Sequence, residues 1–261
     1  MVDSICIYSR YAGTSPQGWV VGIKTEETRH ESRHPRNPPF HTEMAGFCRT
    51  SLPNEAERTI LYIMKLTLPH LERFVTLLHA VQRVKRFARR PGETTPTSTA
   101  EHTFELALLC WYIAHADGLA LDGEKIIKYA LAHDLVEAYA GDTPAYDTAG
   151  QVDKAAREQA ALERIAAEFP EFPELITIIT AYEAKADEEA RFVYATDKLI
   201  DPLNTSLETG LTHWKEHGIQ YEAMRTYKDS KIAQHPVVAR LWGELVEKIE
   251  ARRSHYFAEE A

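Results

Sequence analysis

From residue 64 onward, the apolar side chains of this chain recur three and four residues apart, which is the spacing of amphipathic helices. The clearest stripe consists of Leu71, Phe74, Val75, Leu78, Val81 and Val84. It predicts a first helix that ends near the turn formed by Arg90, Pro91 and Gly92. Because no convincing run of alternating apolar and polar residues is present, the predicted fold class is all-α.

The helix that follows begins with a capping-box pattern. Ser98 and Glu101 stand three residues apart, so each side chain can satisfy a free backbone amide of the other residue. This helix is predicted from Thr99 to Ala116, and Asp122 is predicted to cap a third helix that ends at Gly141. Further helices are expected near residues 150–168, 173–185, 188–209, 219–230 and 236–253.

Charge, glycine spacing and cysteine content exclude several classes of protein. The formal net charge of -9 argues against binding duplex nucleic acid, which requires a basic face. The 12 glycines form neither a GxGxxG nor a GxxxxGK[ST] phosphate loop. The longest strongly apolar stretch, Leu106 to Ala114, is far shorter than the roughly 20 residues of a membrane span. Three scattered cysteines do not suit a disulfide framework, so we expect a cytoplasmic protein.

The first 63 residues differ in texture from the rest. They hold five of the 13 prolines and seven charges of each sign, so the net charge of -9 belongs to residues 64–261. Residues 25–41 carry three histidines without apolar periodicity; a solvated linker is the favoured interpretation, and a metal-binding tract is the alternative. We expect residues 1–63 to be a poorly ordered extension, or translated sequence upstream of the usual start, and residues 64–255 to be the folded domain.

Three ionisable residues interrupt the apolar third helix. On a continuous helix, His133, Asp134 and Glu137 lie at neighbouring positions on one side. Because burial of an unpaired neutral polar group costs about 2–7 kcal/mol, and of a charge more, something is expected to compensate them. Imidazole and carboxylate ligands without a thiolate suit Mn, Fe, Co, Ni or Zn, and Mg is possible when water fills much of the shell.

Two further candidate ligands lie on other predicted helices. His102 falls in the first turn after Glu101, and Asp197 interrupts the mostly apolar run from Phe192 to Ile200. Any one of these residues alone is more often a cap, a hydrogen-bonded core histidine or a solvated carboxylate. Together, the four residues in the order H, HD, D favour a metal site.

These residues resemble the metal-binding signature of the HD-domain phosphohydrolases. The run from Pro96 to His102, the HDxxEAxxGD run from His133 to Asp142, Asp197 in its Thr-Asp-Lys-Leu context and the tail Gln234-His235-Pro236 resemble, more narrowly, the HD-domain 5'-deoxynucleotidases. The similarity covers about residues 66 to 252. It implies an HD-domain helical bundle.

The resemblance also implies an activity. The enzymes it resembles bind one divalent metal, usually supplied as Mn or Co, and hydrolyse deoxyribonucleoside 5'-monophosphates. The implied metal ligands are His102, His133, Asp134 and Asp197. A metal here would polarise a phosphoryl oxygen and lower the pKa of water. Glu137 matches the carboxylate that assists proton transfer, and Asp142 matches the residue that orients the nucleotide near its sugar.

An anionic substrate requires a basic clamp in an acidic protein. The candidates stand at the predicted end of the first helix: Arg83, Lys85, Arg86, Arg89 and Arg90. By resemblance, an arginine beside an aromatic residue contacts phosphate and sugar, which fits Arg86 and Phe87 best. Arg89 is the alternative for this role, and a solvated basic helix end is the structural alternative.

The chain departs from the family pattern at three positions. Thr97 and Thr99 stand where the family commonly has Glu and Val. Phe87 stands where the family often has Trp, and the family's ring at this position is implicated in excluding a ribose 2'-hydroxyl. The departure at Phe87 bears on the preference for deoxyribose, whereas metal binding does not depend on it.

Several other interpretations remain open at this stage. His213 to His217 reads HxxEH, an inverted zinc-protease pattern, but only a short helix fits between Gly210 and Gly218. Other HD enzymes act on nucleoside triphosphates, cyclic nucleotides or guanosine tetraphosphate. A non-catalytic metal-binding helical module is the alternative from a different class. By resemblance, a homodimer with a small-molecule nucleotide substrate is expected. From the net charge and the short apolar stretch, neither nucleic acid nor a membrane is expected as a partner.

Overall fold

The computed structural model describes residues 66–89, 92–207 and 213–258. The predicted extension over residues 1–63 lies outside the described residues. The described helices are α1 (Leu68–Arg83), α2 (Thr99–Ala116), α3 (Gly123–Ala132), α4 (Glu137–Ala140), α5 (Lys154–Glu168), α6 (Pro173–Glu183), α7 (Glu188–Thr205), α8 (His213–Glu216), α9 (Tyr221–Ile232), α10 (Pro236–Glu250) and α11 (Arg253–Tyr256). The all-α prediction is confirmed, and no described helix is long and apolar enough to cross a lipid bilayer.

Side-chain caps fix where several helices begin. The predicted capping box of α2 is present: Glu101 accepts a hydrogen bond from the Ser98 amide at 2.8 Å, and the Ser98 hydroxyl accepts from the Glu101 amide at 3.3 Å. Asp122 caps α3 as predicted, and Asp187 caps α7 by accepting from the Ala190 amide at 2.8 Å. His102 lies in the first turn of α2, directly after its cap, and Asp197 lies in the middle of α7.

Helix α7 is the centre of the domain. It packs against α2, α3, α6, α9 and α10. Its side chains Phe192, Val193 and Ala195 are completely buried, whereas Asp197 and Thr196 are polar residues in the same buried stretch. Cys110 on α2 is also completely buried in this core. A polar group at the centre of such a core needs compensating partners.

Two local predictions are wrong. The chain after α1 continues as strand β1 (Lys85–Arg89), which pairs antiparallel with β2 (Pro96–Ser98), and not as a helix end near Arg90. The pairing satisfies backbone groups of β1 through a partner that lies beyond an intervening turn, so the local pattern did not reveal it. The basic residues of this segment therefore lie mostly on a strand.

The third helix is also interrupted. Helix α3 ends at Ala132, and tighter turns follow, in which the amides of Leu135 and Glu137 donate to carbonyl oxygens three residues earlier. A second short helix, α4, ends at Gly141, whose φ of 74° suits a glycine. As a result, His133 and Asp134 lie at a break between two helices, and not along the face of one continuous helix.

Candidate metal centre

Three of the predicted metal ligands meet in the core. His102 comes from the first turn of α2, His133 from the end of α3 and Asp197 from the middle of α7. The candidate ligand atoms of these three residues all lie within 4.8 Å of one another. The three residues are 2%, 2% and 3% exposed. Among the described residues, this is the group with the composition and spacing to hold a metal ion.

The fourth predicted ligand, Asp134, borders this group. Its Oδ2 atom lies 2.9 Å from Nε2 of His133 and 3.9 Å from Nε2 of His102. The same oxygen accepts a hydrogen bond from Nη1 of Arg86 at 2.8 Å. Asp134 is thus placed between the histidines and an arginine, where its carboxylate can face a cation and still be held by Arg86.

The hydrogen bonds of His133 leave one ring nitrogen available. Its Nδ1 atom lies 2.9 Å from the carbonyl oxygen of Ala130, to which only an N–H can donate. Nε2 is buried and has no hydrogen-bond partner among the described residues, since Asp134 lies close to it without hydrogen-bond alignment. A buried unsatisfied group costs about 1–3 kcal/mol. A divalent cation bound at Nε2 would remove this cost, so the donor set fits a metal.

The two carboxylates have the ionisation that metal binding requires. Burial opposes the charge of Asp134, but His133 and Arg86 outweigh it and hold the pKa of Asp134 below its ordinary value. Burial likewise opposes the charge of Asp197, and Lys198 and His102 hold its pKa well below the ordinary value. For His133, burial lowers the pKa, but the negative charge of Asp134 outweighs burial and raises it to about 9. Both carboxylates are therefore charged at neutral pH.

Glu137 is a buried carboxyl group next to Asp134. It is 4% exposed, and its Oε2 atom accepts a hydrogen bond from the hydroxyl of Thr99 at 2.7 Å. Burial and the nearby charge of Asp134 raise the pKa of Glu137 to about 8, against the opposing effect of Arg86. A carboxyl group that titrates near neutral pH is suited to accept and release a proton. Thr99 was noted in the sequence only as a departure from the family pattern, and its position gave no signal of this contact.

The two arginines considered for binding phosphate both lie on strand β1, but they have different ion-pair partners. Arg86 is directed inward, because it pairs with Asp134 and lies 3.9 Å from Asp201 through Nη2. Arg89 pairs with Glu216 on α8 instead. Arg86 lines the central pocket and Arg89 does not, so the geometry favours Arg86 over the alternative.

An open pocket lies beside this group. Its wall includes Glu137 and also Asp142, which follows Gly141 and whose pKa is raised by burial. Phe87 on β1 also lines the pocket, and its ring packs against His217 at a centroid distance of 4.5 Å. All the predicted catalytic and substrate-binding residues therefore lie around one cavity.

Two residues of the HxxEH pattern, Glu216 and His217, make contacts with strand β1. Glu216 pairs with Arg89, and the ring of His217 packs against Phe87. The side chain of His213 lies outside what the structure describes. Among the described residues, Glu216 and His217 are not part of a group with metal-ligand spacing.

Four charged residues of the pocket were not predicted from the sequence, namely Lys154, Lys198, Asp201 and Lys228. Asp201 stands four residues after Asp197, so helical spacing could have revealed it. Lys198 is next to Asp197 and pairs with its Oδ2 atom at 2.5 Å. Lys154 and Lys228 come from α5 and α9, and nothing local marks them.

The fold and the site define an α-helical protein with a buried His/Asp group that fits one divalent cation. The family model of the HD domain matches residues 78–242 of this chain. The chain therefore belongs to the HD-domain family, as the sequence resemblance predicted.

Relatives carry a more specific name. The mouse (Mus musculus) protein named 5'-deoxynucleotidase HDDC2 is 32% identical over 132 residues, which are 49% of this chain and 64% of the mouse protein. The human (Homo sapiens) protein of the same name is 27% identical over 163 residues, 61% of this chain and 74% of the human protein. The matched region thus falls short of two thirds of the mouse relative's length.

A solved structure has a similar fold. The crystal structure of a protein from Magnetospirillum magnetotacticum, named "Predicted metal-dependent phosphohydrolase", matches with a TM-score of 0.62 and 24% sequence identity. The match covers 75% of this chain and 100% of that protein. At this identity the likeness concerns the fold.

Proposed function

We propose that this protein is a metal-dependent phosphohydrolase that removes the 5'-phosphate from deoxyribonucleoside 5'-monophosphates, giving a deoxynucleoside and phosphate. The observation that carries the proposal is the meeting of His102, His133 and Asp197 beside a pocket whose wall includes Arg86, Glu137 and Asp142. The name of the mouse and human relatives supports the choice of substrate.

The proposed cofactor is one divalent cation, with Mn or Co favoured and Mg or Zn as alternatives. The residues proposed to hold it are His102, His133, Asp134 and Asp197. Such a cation supplies polarisation of a phosphoryl oxygen and a lower pKa for water. This fits the oxygen and imidazole donors of the site, which contains no thiolate.

The other residues have separate roles in the proposed reaction. Water attacks phosphorus opposite the 5'-oxygen, so that one P–O bond forms while the bond to the sugar oxygen breaks. Glu137 accepts the proton of the attacking water and can return one to the leaving oxygen, because its pKa of about 8 lies near neutral pH. Arg86 binds the phosphate, Asp142 orients the sugar, and Phe87 packs near the sugar and limits space at its 2'-position.

The test is phosphate release from deoxyribo- and ribonucleoside 5'-monophosphates, 3'-monophosphates and triphosphates, with Mn, Co, Mg or Zn. We expect metal-dependent release from the deoxyribonucleoside 5'-monophosphates, and loss of release in Asp134→Asn. Release from ribonucleotides as well would mean that Phe87 leaves enough space for a ribose 2'-hydroxyl. Release only from triphosphates would contradict the proposed substrate, and bound metal without any turnover would favour a binding module.

We further propose that the chain acts in the cytoplasm as a homodimer. Several large apolar side chains on one face of α2 are exposed, namely Phe104, Leu108 and Trp111. Exposed apolar residues grouped in this way are typical of protein interfaces. Residues 64–255 are proposed as the catalytic domain, and a variant without residues 1–63 is expected to retain folding and phosphate release.

A further inference from the structure

Lys228 is a buried cation in the wall of the pocket. The residue is 5% exposed on α9, and it lines the cavity that also contains Asp134 and Asp197. Its Nζ atom is 4.0 Å from Oδ2 of Asp201, at the outer limit of an ion pair. The same oxygen is 3.9 Å from Nη2 of Arg86. One carboxylate oxygen is therefore shared by two cations, and it is close to neither.

The neighbouring carboxylates already have nearer partners. Oδ2 of Asp197 pairs with Lys198 at 2.5 Å, and Oδ2 of Asp134 pairs with Arg86 at 2.8 Å. Lys154, a further cation of the pocket wall, is 3.4 Å from Glu158, one turn along its own helix. Burial of an ammonium group is unfavourable unless strong partners replace its water, and a shared contact at 4.0 Å replaces it poorly.

The titration of Lys228 agrees with this geometry. Burial lowers the pKa of Lys228 to about 8, and the attraction of Asp201 only partly offsets burial, while Lys198 adds repulsion. An anion in the pocket would restore the charged form. Phosphate is suited to this because its several oxygen atoms can accept hydrogen bonds from more than one ammonium group.

We propose that Lys228, together with Lys198 and Lys154, forms an anion subsite that binds a phosphate group of the substrate. The identity of the nucleotide rests on the function proposed above, whereas the binding of phosphate does not. The phosphate could be the one that is hydrolysed or a second phosphate on the same nucleotide. Both have the same anionic chemistry, and the experiments below separate them.

The first experiment measures binding of orthophosphate to the full-length, metal-loaded protein by calorimetry. Replacement of the ammonium in Lys228→Met is expected to weaken binding by about tenfold or more, as for loss of a charged hydrogen bond. Lys228→Arg keeps the charge and is expected to restore most of the binding. Equal orthophosphate affinity in wild type and Lys228→Met would overturn the subsite.

The matched control is Lys231→Met. Lys231 lies on the same helix and is not part of the pocket wall, but its Nζ is 3.0 Å from the ring centroid of Tyr227, which lines the pocket. Because Lys231 repels the three pocket lysines without lining the pocket, its replacement is expected to change orthophosphate affinity by less than about threefold. A loss in Lys231→Met equal to that in Lys228→Met would show that general surface charge is responsible, and would overturn the proposal.

A second experiment identifies the phosphate that is bound, by comparing KM for a deoxyribonucleoside 5'-monophosphate and its 3',5'-bisphosphate. If the subsite binds the reacting phosphate, Lys228→Met raises KM for both substrates. If it binds a second phosphate, KM rises only for the bisphosphate. Unchanged KM for both would overturn the subsite even when the enzyme is active.

Folding and function are separated by two further measurements. If Lys228→Met does not fold, Lys154→Met replaces it as the test. Lys154 is a less buried lysine of the same wall, with a side chain that is 33% exposed, and its replacement is expected to weaken orthophosphate binding. An unchanged affinity in Lys154→Met would then count against the subsite. Binding of orthophosphate through Lys228 without any nucleotide hydrolysis would refute the proposed function and retain the anion subsite.

Discussion

Nδ1 of His133 lies 2.9 Å from the carbonyl oxygen of Ala130, one turn earlier in the chain. This contact requires an N–H at Nδ1, so Nε2 is the ring nitrogen left to face a metal. The backbone of α3 thus orients a side chain that stands where the helix ends. A metal at Nε2 would displace the second ring proton, because the pKa of His133 is raised to about 9 in the metal-free site.

Metal removal is the first prediction. Treatment with a chelator is expected to abolish phosphate release and lower the Tm, and Mn or Co is expected to restore both, because a ligand that binds the folded state stabilises it. His133→Asn is expected to lower the bound metal by more than about tenfold. Loss of a group that only orients a metal ligand already costs about 10–100-fold in affinity, and His133 is proposed as a ligand itself. The measurement is elemental analysis of purified protein. The control, His213→Asn combined with His217→Asn, is expected to retain metal; loss there would locate the site elsewhere.

The two arginines of β1 are distinguished by a second prediction. Arg86→Gln is expected to lower kcat/KM by about 100-fold, since charge-assisted hydrogen bonds contribute about 1.5–3 kcal/mol. Arg89→Gln removes a partner of Glu216 outside the pocket, and is expected to change kcat/KM by less than about threefold. Steady-state kinetics on both variants, with metal content measured in parallel, tests this. Equal losses in the two variants would contradict the assignment of Arg86.

The hydroxyl of Thr99 leads to a prediction about pH. Its hydrogen bond favours the charged form of Glu137 and so lowers the pKa of that carboxyl group against the larger effect of burial. Thr99→Val is therefore expected to move the acidic limb of the pH profile of kcat/KM upward by about one pH unit. Thr99→Ser retains the hydroxyl and is expected to follow wild type. A profile unchanged in Thr99→Val would show that Glu137 is not the titrating base.

Glu137 also affects stability. Its folded pKa of about 8 lies above its ordinary value, so the folded state holds a proton that the unfolded state has lost between those two values. The free energy of unfolding contributed by this group therefore decreases as pH rises, by up to about 1.4 kcal/mol per pH unit. Glu137→Gln lacks this dependence, and is expected to gain stability relative to wild type between about pH 5 and pH 8.

Urea unfolding of the metal-free proteins at several pH values measures this difference. Glu163→Gln, on the exposed surface of α5, is the control and is expected to follow the pH dependence of wild type. A constant difference between Glu137→Gln and wild type at all pH values would contradict the raised pKa.

The dimer proposal is tested on the exposed face of α2. Trp111 is 62% exposed beside Phe104 and Leu108, and Trp111→Glu is expected to convert a dimer to a monomer, because a charge replaces apolar surface at the interface. Light scattering coupled to gel filtration measures the mass. Val152→Glu changes an apolar residue that is 87% exposed elsewhere, and is expected to remain dimeric. A monomeric wild type would end the proposal.

The sequence predicted the helices whose signals are local. The capping box of Ser98 and Glu101 and the Asp122 cap need only neighbouring residues, and both occur as predicted. The order of His102, the His133-Asp134 pair and Asp197 also indicated residues that meet in space, through resemblance to the HD family. The boundaries were less predictable: α7 ends at Thr205, not near residue 209, and α5 begins at Lys154, not near residue 150.

What could not be predicted depends on contacts between distant segments. The strand pair of β1 and β2 requires backbone partners across a turn, so a basic run that suited a helix end became a strand. That change directs Arg86 to Asp134 and leaves Arg89 beside Glu216. No local pattern distinguishes two arginines three residues apart when each ion partner lies far away in sequence.

The sequence by itself determined the helical class of the folded region and the residue types of the candidate metal centre, because helical periodicity, caps and ligand chemistry are properties of short segments. Only the tertiary structure decided which groups surround that centre. Lys228 comes from α9 and Lys154 from α5, and both line the pocket that Asp197 and Asp201 also line, an arrangement that depends on how the helices pack. The strength of a charge interaction depends on distance and burial, and both are set by packing, not by the order of residues.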